Sequence, residues 1–197
     1  MQFDFKEKYI LENDKVLLRP LELTDKEFLM DYSINEPEIW RFNSNGAEGV
    51  EKLEKYISNA ISQRENEKEY PFIVFDKSSG KYLGSTRFYA IFLELKTIEI
   101  GYTWYGNKYQ GTGINKNCKY LLLDFAFEKM EMERVAFAAN NKNEKSINAM
   151  KSIGCTVEGV LRNSNIGALG ERIDVIRLSI LKDEWNDTVK ANLIKQI

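Results

Sequence analysis

At 197 residues, 43% of them hydrophobic and 29% charged, the chain has the make-up of one well-cored globular domain. Lys and Arg number 28 against 30 Asp and Glu, a net charge of -2 that argues against a nucleic-acid footprint, and no apolar run approaches transmembrane length. There is no histidine, which excludes Ser-His-Asp and Cys-His nucleophiles and imidazole metal ligands together.

Any proton transfer must therefore run through carboxylates, Tyr, Lys, Cys, the backbone or water. Cys118 and Cys155 lack the paired spacing of a zinc site and read as buried, inert thiols of a reducing compartment. Residues 1–8 alternate charge with aromatics and lack the apolar core of a signal peptide, so the expectation is a cytoplasmic protein without metal or membrane partners.

In chain order, residues 9–21 read as two short strands turning at Asn13 and Asp14, with Pro20 near the exit. Thr24 to Glu27 has capping-box spacing and opens a first helix with Phe28, Leu29 and Tyr32 on its buried side. Asn35 to Asn45 is irregular and aromatic. A second helix follows, with Val50, Leu53, Ile57, Ala60 and Ile61 on one face.

Phe72 to Phe75, a turn at Ser78 to Gly80, and Tyr82 to Tyr89 form a hairpin, extended by a strand from Thr97 to Trp104. Ile114, Cys118, Leu121, Leu122, Phe125 and Ala126 keep helical spacing, and Arg134 to Ala139 is a buried strand. Asn143 can cap a short helix carrying Ile147, Met150 and Ile153, ended by Gly154. Strands Thr156 to Leu161 and Arg172 to Leu181 flank a polar loop, and residues 183–197 form a helical tail. The fold class is mixed α/β, a single domain over 1–197 centred on the strand-helix-strand unit from 97 to 139.

Gln110, Gly111, Thr112 and Gly113 precede a helix beginning at Ile114 and Asn115. A Walker loop would need Gly-Lys-Ser/Thr here and a dinucleotide fingerprint a glycine where Lys116 stands, so both fail. A shorter turn remains, in which glycines let backbone amides approach an anion at a helix N-terminus; a plain strand-helix connection is the alternative. In the preceding strand Ile98, Ile100, Tyr102 and Trp104 alternate on one face, and Gly101 marks a bulge or a close backbone approach. Glu99 shares the face of Gly101 and reads either as a base, direct or through water, or as a solvated surface group.

These residues resemble the GNAT N-acetyltransferases, whose pyrophosphate loop reads Gln/Arg-x-x-Gly-x-Gly/Ala, and within them the RimJ/RimL-like branch of ribosomal-protein N-terminal acetyltransferases. Supporting matches are Val16 to Leu21 with Asp25, Ile100 to Trp104, Leu122 to Phe127, Asn143 with Ser146, Gly154, Glu158 to Arg162, and Asp174 before a strand leading to Trp185. The resemblance implies a twisted, mostly antiparallel sheet with a central parallel strand-helix-strand unit and flanking helices. It implies acetyl-CoA as cosubstrate, with its pyrophosphate on the amides of Gln110, Gly111, Thr112, Gly113, Ile114 and Asn115. Its pantetheine arm would pair with Tyr102, Thr103 and Trp104 and meet Asn143, while Ser146 meets the thiol.

Three departures stand out. Asn115 occupies the last Gly/Ala position, Met150 stands where many relatives carry an acidic Tyr, and no pattern forces one carboxylate into the base role. Glu99 is the family-type position, with Glu158 and Asp174 as rivals; Ser146, Cys118 or water would protonate the thiolate.

The reaction the resemblance implies is direct acetyl transfer to a primary amine in a ternary complex, driven by positioning, amine deprotonation and oxyanion hydrogen bonds. At pH 7 an α-amine of pKa about 7.8 costs roughly 1 kcal/mol to neutralise and a lysine of about 10.4 roughly 4.6 kcal/mol. A site without a strong base therefore favours a protein N-terminus or a small amine of low pKa. Trp40 to Phe42 and the loop from Asn163 to Gly170 are expected to wall the acceptor pocket. A catalytically weak acyl-CoA-binding module and a transferase of another acyl group remain open readings, as does a monomer or a homodimer.

Overall fold

A computed structural model describes residues 3–43 and 46–197; the ends of two sequence segments discussed above, residues 1–2 and 44–45, lie outside the described residues. The chain opens with β1 (Leu11–Glu12) and β2 (Val16–Pro20). Asn13 makes the turn between them by accepting from the amides of Lys15 and Val16 at 3.0 Å each. A 3-10 turn at Leu23–Asp25 leads into α1 (Lys26–Asn35). Its anchor is Asp25 rather than the expected Thr24, because Asp25 accepts from the Glu22 amide at 2.8 Å and from Arg19 at 2.6 Å.

Leu29 and Tyr32 of α1 are buried as expected, whereas Phe28 is half out of the core and lies on the Tyr82 ring at 4.6 Å. After a second 3-10 turn, Pro37–Trp40, comes α2 (Gly49–Glu65), which buries Leu53, Tyr56, Ile57 and Ala60 and leaves Val50 exposed. The hairpin strands β3 (Tyr70–Asp76) and β4 (Lys81–Phe92) run longer than the apolar stretches alone suggest, and β5 spans Thr97–Tyr105.

Helix α3 (Ile114–Asp124) continues as a π-turn over Phe125–Lys129, and β6 (Arg134–Asn140), α4 (Glu144–Ser152), β7 (Thr156–Ile166) and β8 (Arg172–Leu181) follow. Strand β7 outruns its expected end at Leu161. A bulge between Leu161 and Asn165 absorbs the polar residues and lets pairing with β8 resume at Asn165 and Ile173. The tail is helical: α5 (Lys182–Glu184), a π-turn at Trp185–Val189, and α6 (Lys190–Ile194), pinned by the buried Trp185.

The fold is mixed α/β, an eight-stranded sheet in the order β1-β2-β3-β4-β5-β6-β8-β7. Every neighbouring pair is antiparallel except β5 and β6, which run parallel because α3 crosses between them. Helices α1 and α2 cover one face through Tyr32 and Tyr56, both packed with Trp104 of β5, and Trp40 of the 3-10 turn between them packs there as well. Helix α3 covers the other, where Phe88 of β4 stacks on Phe125 at 6.2 Å. No helix among the described residues is long and apolar enough to cross a membrane.

Candidate active site

The site begins where β5 leaves its parallel neighbour. Pairing of β5 with β6 is confined to Thr97 with Arg134, Ile98 with Val135, and Glu99 with Ala136. Strand β6 stays paired to β8 along its whole length, from Arg134 with Leu181 to Asn140 with Val175. Strand β5 stays with β4, but across a bulge: Arg87 faces Gly101 and Ser85 faces Trp104, so β5 carries an extra residue there. The two strands consequently diverge beyond Glu99, leaving a wedge bordered by residues 100–105 on one side and 137–140 on the other.

Tyr102 is the residue that makes the bulge, with φ at +50°, a conformation that costs a bulky side chain strain. It is held by the Arg87 guanidinium over its ring at 4.2 Å and by the edge of Tyr89 at 5.2 Å. Gly101 does mark a close approach: a Cβ there would stand 2.6 Å from the Tyr89 ring. The bulge also corrects the expected alternation. Trp104 shares a face with Gly101 and Glu99, towards α1 and α2, while Ile98 and Ile100 occupy the opposite one. Its indole is core, 4.7 Å from Trp40, so Trp104 offers the wedge only backbone.

At the mouth of the wedge, Gly111 and Gly113 adopt φ of +80° and +92°, and a Cβ at either would meet nothing within 4 Å. These glycines serve backbone conformation rather than close packing. The first intrahelical bond of α3 runs from the Asn117 amide to the Gly113 carbonyl at 3.1 Å, and among the described residues no protein acceptor meets the amides of Gly111 to Lys116. Side chains in the loop are tied back. Gln110 Nε2 donates to the Tyr105 carbonyl at 2.8 Å and its Oε1 accepts from Lys145, while Thr112 Oγ1 donates to the Tyr109 carbonyl at 2.7 Å. Asn115 accepts from the Tyr105 hydroxyl at 3.3 Å, so its side chain turns to the neighbouring strand, and Ile114 is buried. What the loop exposes is a row of amides at the positive end of a helix.

Glu99 sits deep on the α1/α2 side. Its Oε1 accepts from Arg177 of β8 at 2.5 Å, and its Oε2 is buried without a hydrogen-bond partner. Burial and the adjacent Glu99 charge push the Tyr89 hydroxyl far up, although the two do not meet in hydrogen-bond geometry. The rival carboxylates are committed. Glu158 takes a bidentate grip from Arg134 and a bond from Ser179 at 2.8 Å, which pull it down to about 2 despite some burial. Asp174 accepts from the Asn163 amide at 2.9 Å and fastens the β7 bulge to β8.

Asn143 caps α4 by accepting from the Ser146 amide at 3.1 Å. Ser146 is half-buried and its hydroxyl makes no hydrogen bond to the described residues. Met150 is core, and Cys118 is fully buried beside Tyr105, its thiol pushed up to about 12 by desolvation, so it is no ready proton donor. Trp40 belongs to the core, at 1% exposure, and does not wall a pocket; Arg41 and Phe42 beside it are exposed. The loop expected from Asn163 to Gly170 shrinks to residues 167–171, because Asn163 to Ile166 are strand.

Sequence reasoning missed Arg87, Tyr89, Arg177 and Lys119. Arg87 is 2% exposed and meets Glu69 at 2.6 Å. A charge alternating with Ser85 and Tyr89 inside an apolar strand is the signal that was there to find. Lys119 is also buried, and Leu122 and Leu123 at i+3 and i+4 put it on the inner flank of α3.

A bulged strand parts from its parallel neighbour, and a glycine-shaped helix N-terminus stands at the opening of the split sheet, an arrangement open to an anionic, extended ligand. The family model described as "Acetyltransferase (GNAT) domain" matches residues 15–156, and the chain belongs to that family of acetyltransferases. It is 28% identical over 178 residues to the uncharacterized N-acetyltransferase p20 of Bacillus licheniformis, covering 89% of this chain and 97% of that protein. The crystal structure of a GCN5-related N-acetyltransferase from Brucella melitensis matches with a TM-score of 0.88 at 22% identity, over 98% of this chain and 88% of that one. That of ribosomal-protein-S5-alanine acetyltransferase from Vibrio fischeri matches at 0.71 and 19% identity, over 90% and 98%. The last two likenesses are of fold.

Proposed function

We propose that the chain moves an acetyl group from acetyl-CoA to a primary amine by direct transfer in a ternary complex. The observation that carries this reading is the divergence of β5 from β6 beyond Glu99 and Ala136, with the open amides of Gly111 to Lys116 at its mouth. A pyrophosphate bound by those amides directs the pantetheine arm into the wedge, where backbone groups of Tyr102, Thr103 and Trp104 pair with it as a missing strand. Asn143 and Ser146 flank the arm from α4, with the Ser146 hydroxyl donating to the sulfur. Gln110 acts by pinning the loop to Tyr105 rather than by touching the ligand.

Glu99 is the base, acting through its unpartnered Oε2 or a water held there, with Arg177 fixing the carboxylate. An α-amine costs less to neutralise at pH 7 than a lysine side chain, which favours it as acceptor. That preference agrees with the RimJ/RimL-like motifs and points to a protein or peptide N-terminus, or a small amine of low pKa, as acceptor.

Thiol release from acetyl-CoA, measured over peptides with free N-termini, lysine-bearing peptides with blocked N-termini and small amines, tests the reading. Turnover on free N-termini is expected. Tight acetyl-CoA binding with no turnover on any amine would instead support an acyl-CoA-binding module. The loop has its own test: Gly113→Val forces a β-branched residue to φ +92° and is expected to weaken acetyl-CoA binding at least about tenfold in a folded protein. Unchanged affinity by calorimetry would remove the loop from the site.

A further inference from the structure

Lys119 is 5% exposed, lies on the inner flank of α3, and bonds a single protein atom, the Thr103 hydroxyl at 2.7 Å. Among the described residues no carboxylate lies within ion-pair distance of it. An ammonium carries three donors, so two are left without a protein acceptor in a dry environment. Its surroundings straddle the wedge: Thr103 stands on β5 just past the bulge, and the Phe137 ring of β6, 5.9 Å from Nζ, is the first β6 residue after pairing with β5 ends. Cys118 on its own helix and Cys155 between α4 and β7 are the titratable groups that face it.

We propose that Lys119 is a catalytic residue that meets the sulfur of CoA in the wedge and protonates the departing thiolate, an assignment that rests on acetyl-CoA binding there. The amine nitrogen attacks the thioester carbonyl, and collapse of the tetrahedral intermediate breaks the C–S bond with its electron pair on sulfur. A proton from Nζ forms the S–H bond, leaving neutral Lys119, the acetylated amine and CoA thiol. The proton lost by the amine restores the ammonium through solvent. Burial pushes Lys119 down to about 8, which makes it a stronger acid than an ordinary lysine and a better proton donor to a departing thiolate. Ser146 can hydrogen-bond sulfur but is too weak an acid to give up its proton.

The test uses the full chain with CoA alone, titrating the thiol of bound CoA by its ultraviolet thiolate absorbance, beside calorimetry of CoA and desulfo-CoA. In the wild type the bound thiol is expected to titrate at least about one unit below free CoA, a tenfold change in its proton affinity. Lys119→Met should abolish that shift while leaving desulfo-CoA affinity unchanged, and Lys119→Arg, which keeps the charge, should retain it. A wild-type bound thiol that titrates like free CoA overturns the proposal whether or not either variant folds, as does a shift that survives Lys119→Met. Failure of both CoA and acetyl-CoA to bind the wild type would overturn the donor reading itself.

Discussion

On the α1/α2 face of β5, Arg87 meets Glu69 at 2.6 Å and lies over two tyrosine rings, and Glu99 meets Arg177 at 2.5 Å. On the α3 face, Lys119 meets one hydroxyl and no carboxylate. Both faces bury charge within a few residues of the same bulge, yet one pairs it with carboxylates and the other leaves it with a single hydroxyl. Paired charges hold geometry because separating them is costly; an unpaired buried ammonium costs stability, and the proposed proton transfer to sulfur gives it a use.

The comparison breaks most sharply at Glu69. Glu69→Gln keeps the volume but leaves the Arg87 guanidinium buried without a counter-charge, and should destabilise the fold by about 3 kcal/mol or more. Urea unfolding measures it. A loss below about 1 kcal/mol would mean that the Tyr56 and Tyr102 rings compensate the cation by themselves.

Lys119 should behave in the opposite sense. Its ammonium titrates near 8 in the fold against 10.5 unperturbed, so the unfolded chain holds that proton more tightly and stability rises with pH between those values. Below pH 8 the full cost is present. Lys119→Met should therefore stabilise the protein by about 3 kcal/mol at pH 7, and the gain should shrink as pH climbs towards 10.5. Melts at three pH values check both sign and slope; a destabilised variant would assign Lys119 to holding the bulge through Thr103.

Much of this frame is readable in the residues, and the unreadable parts share a cause. The strand-helix-strand unit, the loop glycines, the Asn143 cap and the buried cysteines follow from local spacing, which sequence carries directly. The burial of Trp40, the extension of β7 and the facing of Tyr102 and Trp104 do not, because each is set by a partner distant in the chain. A bulge inserts one residue and inverts every side chain after it, so a period-two reading of Ile98 to Trp104 is right up to Gly101 and wrong beyond. Buried charges are missed for a related reason: Arg87 finds Glu69 and Glu99 finds Arg177 only once the sheet is assembled.

Glu99→Gln sharpens the contrast on the paired side. The amide keeps the shape and one acceptor oxygen but cannot take a proton from the amine, so turnover should fall about a hundredfold with acetyl-CoA affinity nearly unchanged. A variant whose pH–rate profile matches the wild type would transfer the proton to water or to another group. Because Arg177 is left without its counter-charge, a thermal melt run in parallel separates lost chemistry from lost structure.

Ser146→Ala is expected to have the smallest effect. The hydroxyl has no partner among the described residues, so its removal leaves no orphaned group and should leave stability within about 0.5 kcal/mol. A thioester sulfur is a poor acceptor and a thiolate a good one, so a hydrogen bond from Ser146 strengthens as the C–S bond breaks. Turnover should then drop about tenfold, equivalent to about 1.4 kcal/mol, at constant KM for acetyl-CoA. The double variant with Lys119→Met carries the decisive information. If serine only orients the sulfur and lysine supplies the proton, the two losses are coupled and the double variant is less impaired than the product of the singles. Simple multiplication of the two effects would mean that the side chains act on different atoms of the ligand, and would put Ser146 on the pantetheine arm rather than at the sulfur.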